Sequence, residues 1–172
     1  AVQEYFDTVL AALFADHSLT ETKGKFVTDD GKERRDDFDM PYPVHILNGL
    51  IPTLHIFEQF LKNAGKTDSL EAETWLKVFM LGFTLHDANK LLRVPEQKGK
   101  TDLELALEQL REDFANFRAL EFFPEVEKYK DNVFHLALAT ENRTRILANE
   151  YPAERFVREK LAPLCHLADR LA

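Results

Sequence analysis

The chain predicts an all-α bundle, and three observations predict it. Apolar residues recur at helical spacing along most of the 172 residues. Proline, capping and turn residues punctuate those periodic stretches. Strand signals are few, and there is no internal repeat or low-complexity tract.

The elements follow in order. Phe6, Val9, Leu10, Leu13 and Phe14 fall at i, i+3, i+4, i+7 and i+8, an amphipathic first helix. Residues 16–40 break the pattern: they are polar, carry both charge signs and contain the turn dipeptide Asp30-Gly31. Lys25-Phe26-Val27-Thr28 pairs with later residues as a small hairpin, or the whole stretch is a loop. The acids in Asp29-Asp30-Gly31-Lys32-Glu33 lack EF-hand spacing. Pro41 and Pro43 open a long helix, about Val44 to Asn63, with Pro52 as a kink or break. Asp68 or Ser69 caps the next helix, which runs to His86-Asp87. Arg93 to Lys100 reads as a loop. Thr101-Asp102-Leu103-Glu104 has a capping-box pattern and opens a helix to about Leu120. Pro124 starts another, with residues 131–147 continuing helical. Tyr151-Pro152-Ala153-Glu154 starts the last, whose apolar positions include Phe156, Val157, Leu161, Leu164, Leu167, Ala168 and Leu171.

Composition bounds the function. Hydrophobic residues make up 45% and charged residues 30%, the balance of a soluble globular domain. The single cysteine, Cys165, excludes an internal disulfide and a cysteine-rich zinc site, which fits the reducing cytoplasm. The longest apolar run ends at Leu85 and falls short of the roughly 20 residues that span a membrane. The net charge of −8 argues against a stand-alone nucleic-acid-binding module, whose affinity comes from Lys and Arg. It argues less against a nuclease with a metal, because the ion supplies local positive charge. The start without Met and the stop inside a helical pattern predict one domain, residues 1–172, cut from a larger protein.

The chemistry concentrates in His86-Asp87-Ala88-Asn89-Lys90, which closes the apolar run Trp75 to Leu85. A neutral imidazole beside a carboxylate suits a divalent transition metal. The chain has six histidines. His17 borders the polar segment. His45 and His55 are ten residues apart, about 80° around a helix, so they do not share a site. His135 lies seven residues before Asn142, on nearly the same face. His166 and Asp169 are three apart. Asp169 interrupts an apolar stripe, where a carboxylate needs a metal or a cation; Arg170 and Arg143 are the alternative partners. Each histidine taken singly is more often a hydrogen-bonded structural residue than a ligand.

Taken together, His45, then His86-Asp87, then a further histidine, then Asp169 in Leu167-Ala168-Asp169 resembles the HD phosphohydrolase superfamily over about Pro43 to the C-terminus. The segments Tyr42-Pro43-Val44-His45-Ile46-Leu47-Asn48-Gly49-Leu50-Ile51-Pro52 and Phe83-Thr84-Leu85-His86-Asp87-Ala88-Asn89-Lys90 resemble the N-terminal HD nuclease domain of the CRISPR type I-D large subunit, the Cas-ten-d family. The resemblance implies an HD-like helical bundle with a short polar loop or hairpin insertion at residues 16–40. It implies metal ligands His45, His86, Asp87 and Asp169, and one or two divalent ions (Mn, Ni, Co, Fe or Zn, with Mg also possible). One metal is favoured over two, because only His135 and His166 lie between the His-Asp pair and Asp169. Alongside His86 and Asp87 as catalytic residues, Lys90 would contact a phosphate oxygen. His135 would bind a second metal or protonate the leaving oxygen. Arg93, Lys98 and Lys100 would guide the polymer backbone, or form a solvated loop. The implied activity is DNA cleavage, single strands favoured, in antiviral defence. The implied partners are other CRISPR effector subunits, a guide RNA complex and a helicase-type protein, with no membrane. A nucleotide phosphohydrolase and a metal-free helical interaction module are the competing classes.

Overall fold

The computed structural model describes residues 1–17, 21–27, 33–87, 108, 111–112, 114–140 and 151–172. Three consecutive segments, Val2–Tyr5, the wider π-helical Phe6–Leu10 and Ala11–His17, form helix α1. Strands β1 (Glu21–Val27) and β2 (Glu33–Pro41) pair antiparallel, with Lys25 opposite Arg35 and Val27 opposite Glu33. Of the two sequence expectations for this polar stretch, the hairpin holds. Its register shifts between Glu21 and Lys25. The remaining architecture is all-α, as expected.

Helix α2 (Tyr42–Asn63) starts with proline in its first turn and continues through Pro52. Pro52 is therefore not a break. The Thr53 hydroxyl donates to the Gly49 carbonyl at 2.8 Å beside the missing proline donor. The buried positions Tyr42, His45, Ile46, Gly49, Leu50, Thr53, Phe57 and Leu61 make one continuous stripe, with His45 inside it. Helix α3 (Ser69–Leu85) is capped by Asp68, whose carboxylate accepts from the Glu71 amide at 2.9 Å. From Val78 to Leu85 every residue is buried, so α3 is the central helix and not a surface one.

Arg118 takes a left-handed conformation, φ 54°. A right-handed helix cannot pass through it, so the helix expected to reach Leu120 ends earlier and a short helix, α4 (Ala119–Phe122), follows. The Arg118 guanidinium pairs with Glu121. The helix expected from Pro124 begins at Val126: α5 (Val126–Thr140) has every residue from Asn132 to Thr140 buried. The last helix, α6, comprises π-helical Val157–Leu161 and Ala162–Leu171. The expected capping box at residues 101–104 and the helical continuation over 141–147 lie outside the described residues.

α3 packs along α5, α2 packs along α6, and α2 and α6 both touch α3. Two glycines set these approaches. A Cβ on Gly82 would sit 2.6 Å from the Leu136 Cβ of α5, and one on Gly49 would sit 2.7 Å from the Ala168 carbonyl oxygen of α6. Each fully buried aromatic or aliphatic side chain in this core contributes about 1.5–3 kcal/mol. Among the described residues no helix is long and apolar enough to cross a membrane.

Candidate metal centre

Three helices deliver four donors to one place. α2 carries His45, fully buried on its core stripe, and residues just past the end of α3 carry His86 and Asp87, 4% and 2% exposed. α6 carries Asp169, whose side chain is 37% exposed.

The Nε2 atoms of His45 and His86 lie 3.3 Å apart. Asp87 reaches both: Oδ2 is 3.3 Å from His45 Nε2 and Oδ1 is 3.6 Å from His86 Nε2. Asp169 Oδ1 also reaches both, at 3.4 Å from His45 and 3.3 Å from His86. One ligand atom each from His45, His86 and Asp169 fall within 4.8 Å of one another. A tetrahedral metal with ligand bonds of about 2.0–2.2 Å has ligand–ligand edges of about 3.3–3.6 Å. The three separations among His45 Nε2, His86 Nε2 and Asp169 Oδ1 fall in that range, and Asp87 meets each histidine through a different oxygen. The donor set, two imidazoles and two carboxylates, is that of a borderline transition metal and not of calcium.

The local structure aims these donors. His86 Nδ1 contacts the Phe83 carbonyl at 2.5 Å, which places the proton on Nδ1 and leaves the Nε2 lone pair facing the cluster. The His86 ring stacks on Phe83, centroids 4.6 Å apart at 18°, which fixes its plane. Gly49, one turn past His45, lets Phe83 and the Ala168 carbonyl close in behind the cluster. Two Nε2 atoms at 3.3 Å are joined either by one shared proton or by one ion, and the carboxylates balance either charge. The His45 ring, first, and the His86 ring when it carries a second proton hold the Asp169 carboxyl well below the usual carboxylate range.

Other sequence-derived candidates fall elsewhere. His135 is buried on α5 and hydrogen-bonds to the Tyr151 backbone; among the described residues it is not in the donor group. Burial, aided by the positive charge of Arg158, lowers its pKa. His55 is exposed on α2, as its angular offset from His45 requires, and His166 is half-buried on α6. Lys90, Arg93, Lys98 and Lys100 lie outside the described residues. Asp169 partners His45 and His86, and its neighbour Arg170 is exposed.

Two contributors have no chemical signature in the sequence. The Tyr42 hydroxyl donates to the Thr84 carbonyl, and the Tyr5 hydroxyl meets Thr84 Oγ1 at 2.6 Å. Both tyrosines are fully buried. Comparisons of the chain with protein-family models, with curated proteins and with solved structures give no match.

Proposed function

We propose that this chain is a metal-dependent phosphodiesterase, with His45, His86, Asp87 and Asp169 holding one divalent transition metal. The observation that carries the reading is the 3.3–3.4 Å spacing of His45 Nε2, His86 Nε2 and Asp169 Oδ1, brought together from three helices, with Asp87 beside both histidines. A shared proton accounts for one contact between the histidines. One ion accounts for that contact and for both carboxylates meeting both rings. Burial of Asp87 at 2% exposed adds to this, because a buried carboxylate needs a strong compensating charge.

When bound, such a metal supplies Lewis acidity and a water that ionises near neutral pH. The chain's own residues do the rest. The Phe83 carbonyl keeps His86 in the tautomer that presents Nε2. His45 sits at the sealed floor. Asp87 spans both rings from the buried side, and Asp169 closes the cluster from the accessible side. Substrate therefore approaches past Asp169, at the C-terminal end of α6. Water reaches the same edge and is excluded from the floor.

DNA as the substrate, single strands favoured, is a finer proposal. It rests on the likeness of the Tyr42–Pro52 and Phe83–Lys90 segments to the HD domain of the type I-D CRISPR large subunit. So do the cytoplasmic setting, the guide RNA complex and the helicase-type partner. A net charge of −8 fits a domain whose DNA is delivered by other subunits, since the chain itself repels a polyanion. Hydrolysis of small nucleotides, which need no extended basic groove, is the second reading.

The test is direct. Metal content of the purified protein is measured, then degradation of single-stranded DNA and hydrolysis of deoxynucleotides with Mn, Ni or Co, beside a His86→Ala/Asp87→Ala double variant. Metal-dependent DNA cleavage lost in the variant is the expected result. Cleavage unchanged in the variant rejects the mechanism, and activity on nucleotides alone selects the second reading.

A further inference from the structure

The end of α3 is held by two tyrosines from two other helices, and this arrangement bears on how the donors are placed. The last four carbonyls of a helix have no partner within it. At the end of α3 two of these are supplied from side chains. The Phe83 carbonyl receives the His86 backbone amide at 3.3 Å and His86 Nδ1 at 2.5 Å. The Thr84 carbonyl receives the Tyr42 hydroxyl. Thr84 Oγ1 donates to the Met80 carbonyl at 2.7 Å, so its lone pair accepts from the Tyr5 hydroxyl at 2.6 Å. Thr84 is thus gripped at its carbonyl by α2 and at its side chain by α1, two residues before His86.

Tyr42 has a second connection. It lies three residues before His45 on α2, so both fall on the same helix face. One turn of α2 therefore carries a proposed ligand and also the clamp on the turn next to two more, His86 and Asp87. The separation between His45 and the His86-Asp87 pair is set where Tyr42 meets Thr84. The geometry points to Tyr42 as a positioning residue for the metal site, registering His45 against His86 and Asp87 through the Thr84 carbonyl; this rests on the metal-site reading above. Tyr5 serves a different purpose. It grips the Thr84 side chain and ties α1 to the bundle without capping the backbone.

The contrast makes the test. Tyr42→Phe and Tyr5→Phe each remove one buried hydroxyl and keep the ring, so their general cost to the fold is similar. Co(II) affinity, the visible spectrum of the Co(II)-loaded protein and the thermal midpoint of the metal-free protein are measured for wild type and both variants. Tyr42→Phe is expected to weaken Co(II) binding on the order of tenfold and to alter the Co(II) spectrum, as changes behind metal ligands do. Tyr5→Phe is expected to lower the thermal midpoint comparably and leave affinity and spectrum near wild type. If Tyr42→Phe does not fold without metal, the affinity ratio is obtained after refolding in excess Co(II) and titration with a chelator. Wild-type protein that binds no Co(II) overturns the metal reading and this inference together. Wild-type binding with Tyr42→Phe unchanged in affinity and spectrum, or shifted no more than Tyr5→Phe, overturns the inference alone. So does a Tyr42→Phe protein that folds under neither condition, since the hydroxyl then serves the whole fold.

Discussion

His45 on α2, His86 at the end of α3 and His135 on the adjoining helix α5 are all hidden from solvent, at 0%, 4% and 4% exposed. Their partners differ. The first two face each other and two carboxylates, so the protein has assembled donors and negative charge around one point. His135 hydrogen-bonds to the Tyr151 backbone and feels the positive charge of Arg158. In the first region burial concentrates chemistry. In the second it keeps an imidazole neutral. Burial alone therefore does not separate the two regions; the sign of the charge around each histidine does.

The largest expected effect comes from breaking the first region. His86→Ala should abolish transition-metal binding, measured by Co(II) titration, with a loss beyond the roughly 10–100-fold that changes behind a ligand cause. Wild-type affinity in that variant would remove the cluster from the proposed mechanism.

Gly49→Ala comes next. The added methyl would press on Phe83 and on the Ala168 carbonyl, the residue before Asp169. Overpacking of this kind costs about 1–3 kcal/mol, read from urea unfolding. Metal affinity should fall with it, because Asp169 moves with α6. A stable variant with full affinity would show that the three helices do not need this close approach.

His135 sharpens the contrast through pH. Its folded pKa lies below the ordinary value of about 6.5, so below that pH the unfolded chain binds the proton more readily. Stability must then fall as pH drops from about 6.5 through the folded pKa. His135→Gln should flatten that part of the profile, seen in urea midpoints collected from pH 7 to pH 5. Metal affinity at pH 7 should stay near wild type. A large loss of affinity would instead join His135 to the site.

The smallest effect belongs to His55, exposed on the outer side of α2. His55→Ala should change stability by less than about 0.5 kcal/mol and leave metal binding intact. A measurable change in binding would mean that α2 does not hold the orientation described.

Much of the site was legible from residue type and order. His86-Asp87 stands at the end of an apolar run too continuous to be anything but core. Asp169 interrupts an apolar stripe, where a carboxylate has to be compensated. The angular offset of His55 from His45 separated two histidines on one helix. Other features were not legible. Pro52 suggested a break, yet a proline costs a helix one hydrogen bond and a local clash, and the packing of α2 against α3 and α6 outweighs that. His135 carried the same residue type and helical setting as His45 and His86. Its separation depends on which neighbour its ring meets. Tyr42 was visible beside His45 but offered no chemistry, because its hydroxyl meets a carbonyl 42 residues away in the chain.

Sequence alone determined that the chain is helical, where the apolar stripes run, and which histidines and aspartates are candidates. Those properties are local: periodicity, capping and turn chemistry act over a few residues. The tertiary structure decided which candidates meet. Separations of 3.3–3.4 Å between atoms 41 to 124 residues apart depend on how closely α2, α3 and α6 approach, and Gly49, the Phe83 ring and the Tyr42–Thr84 contact lie where they meet. No local pattern encodes an interhelical distance.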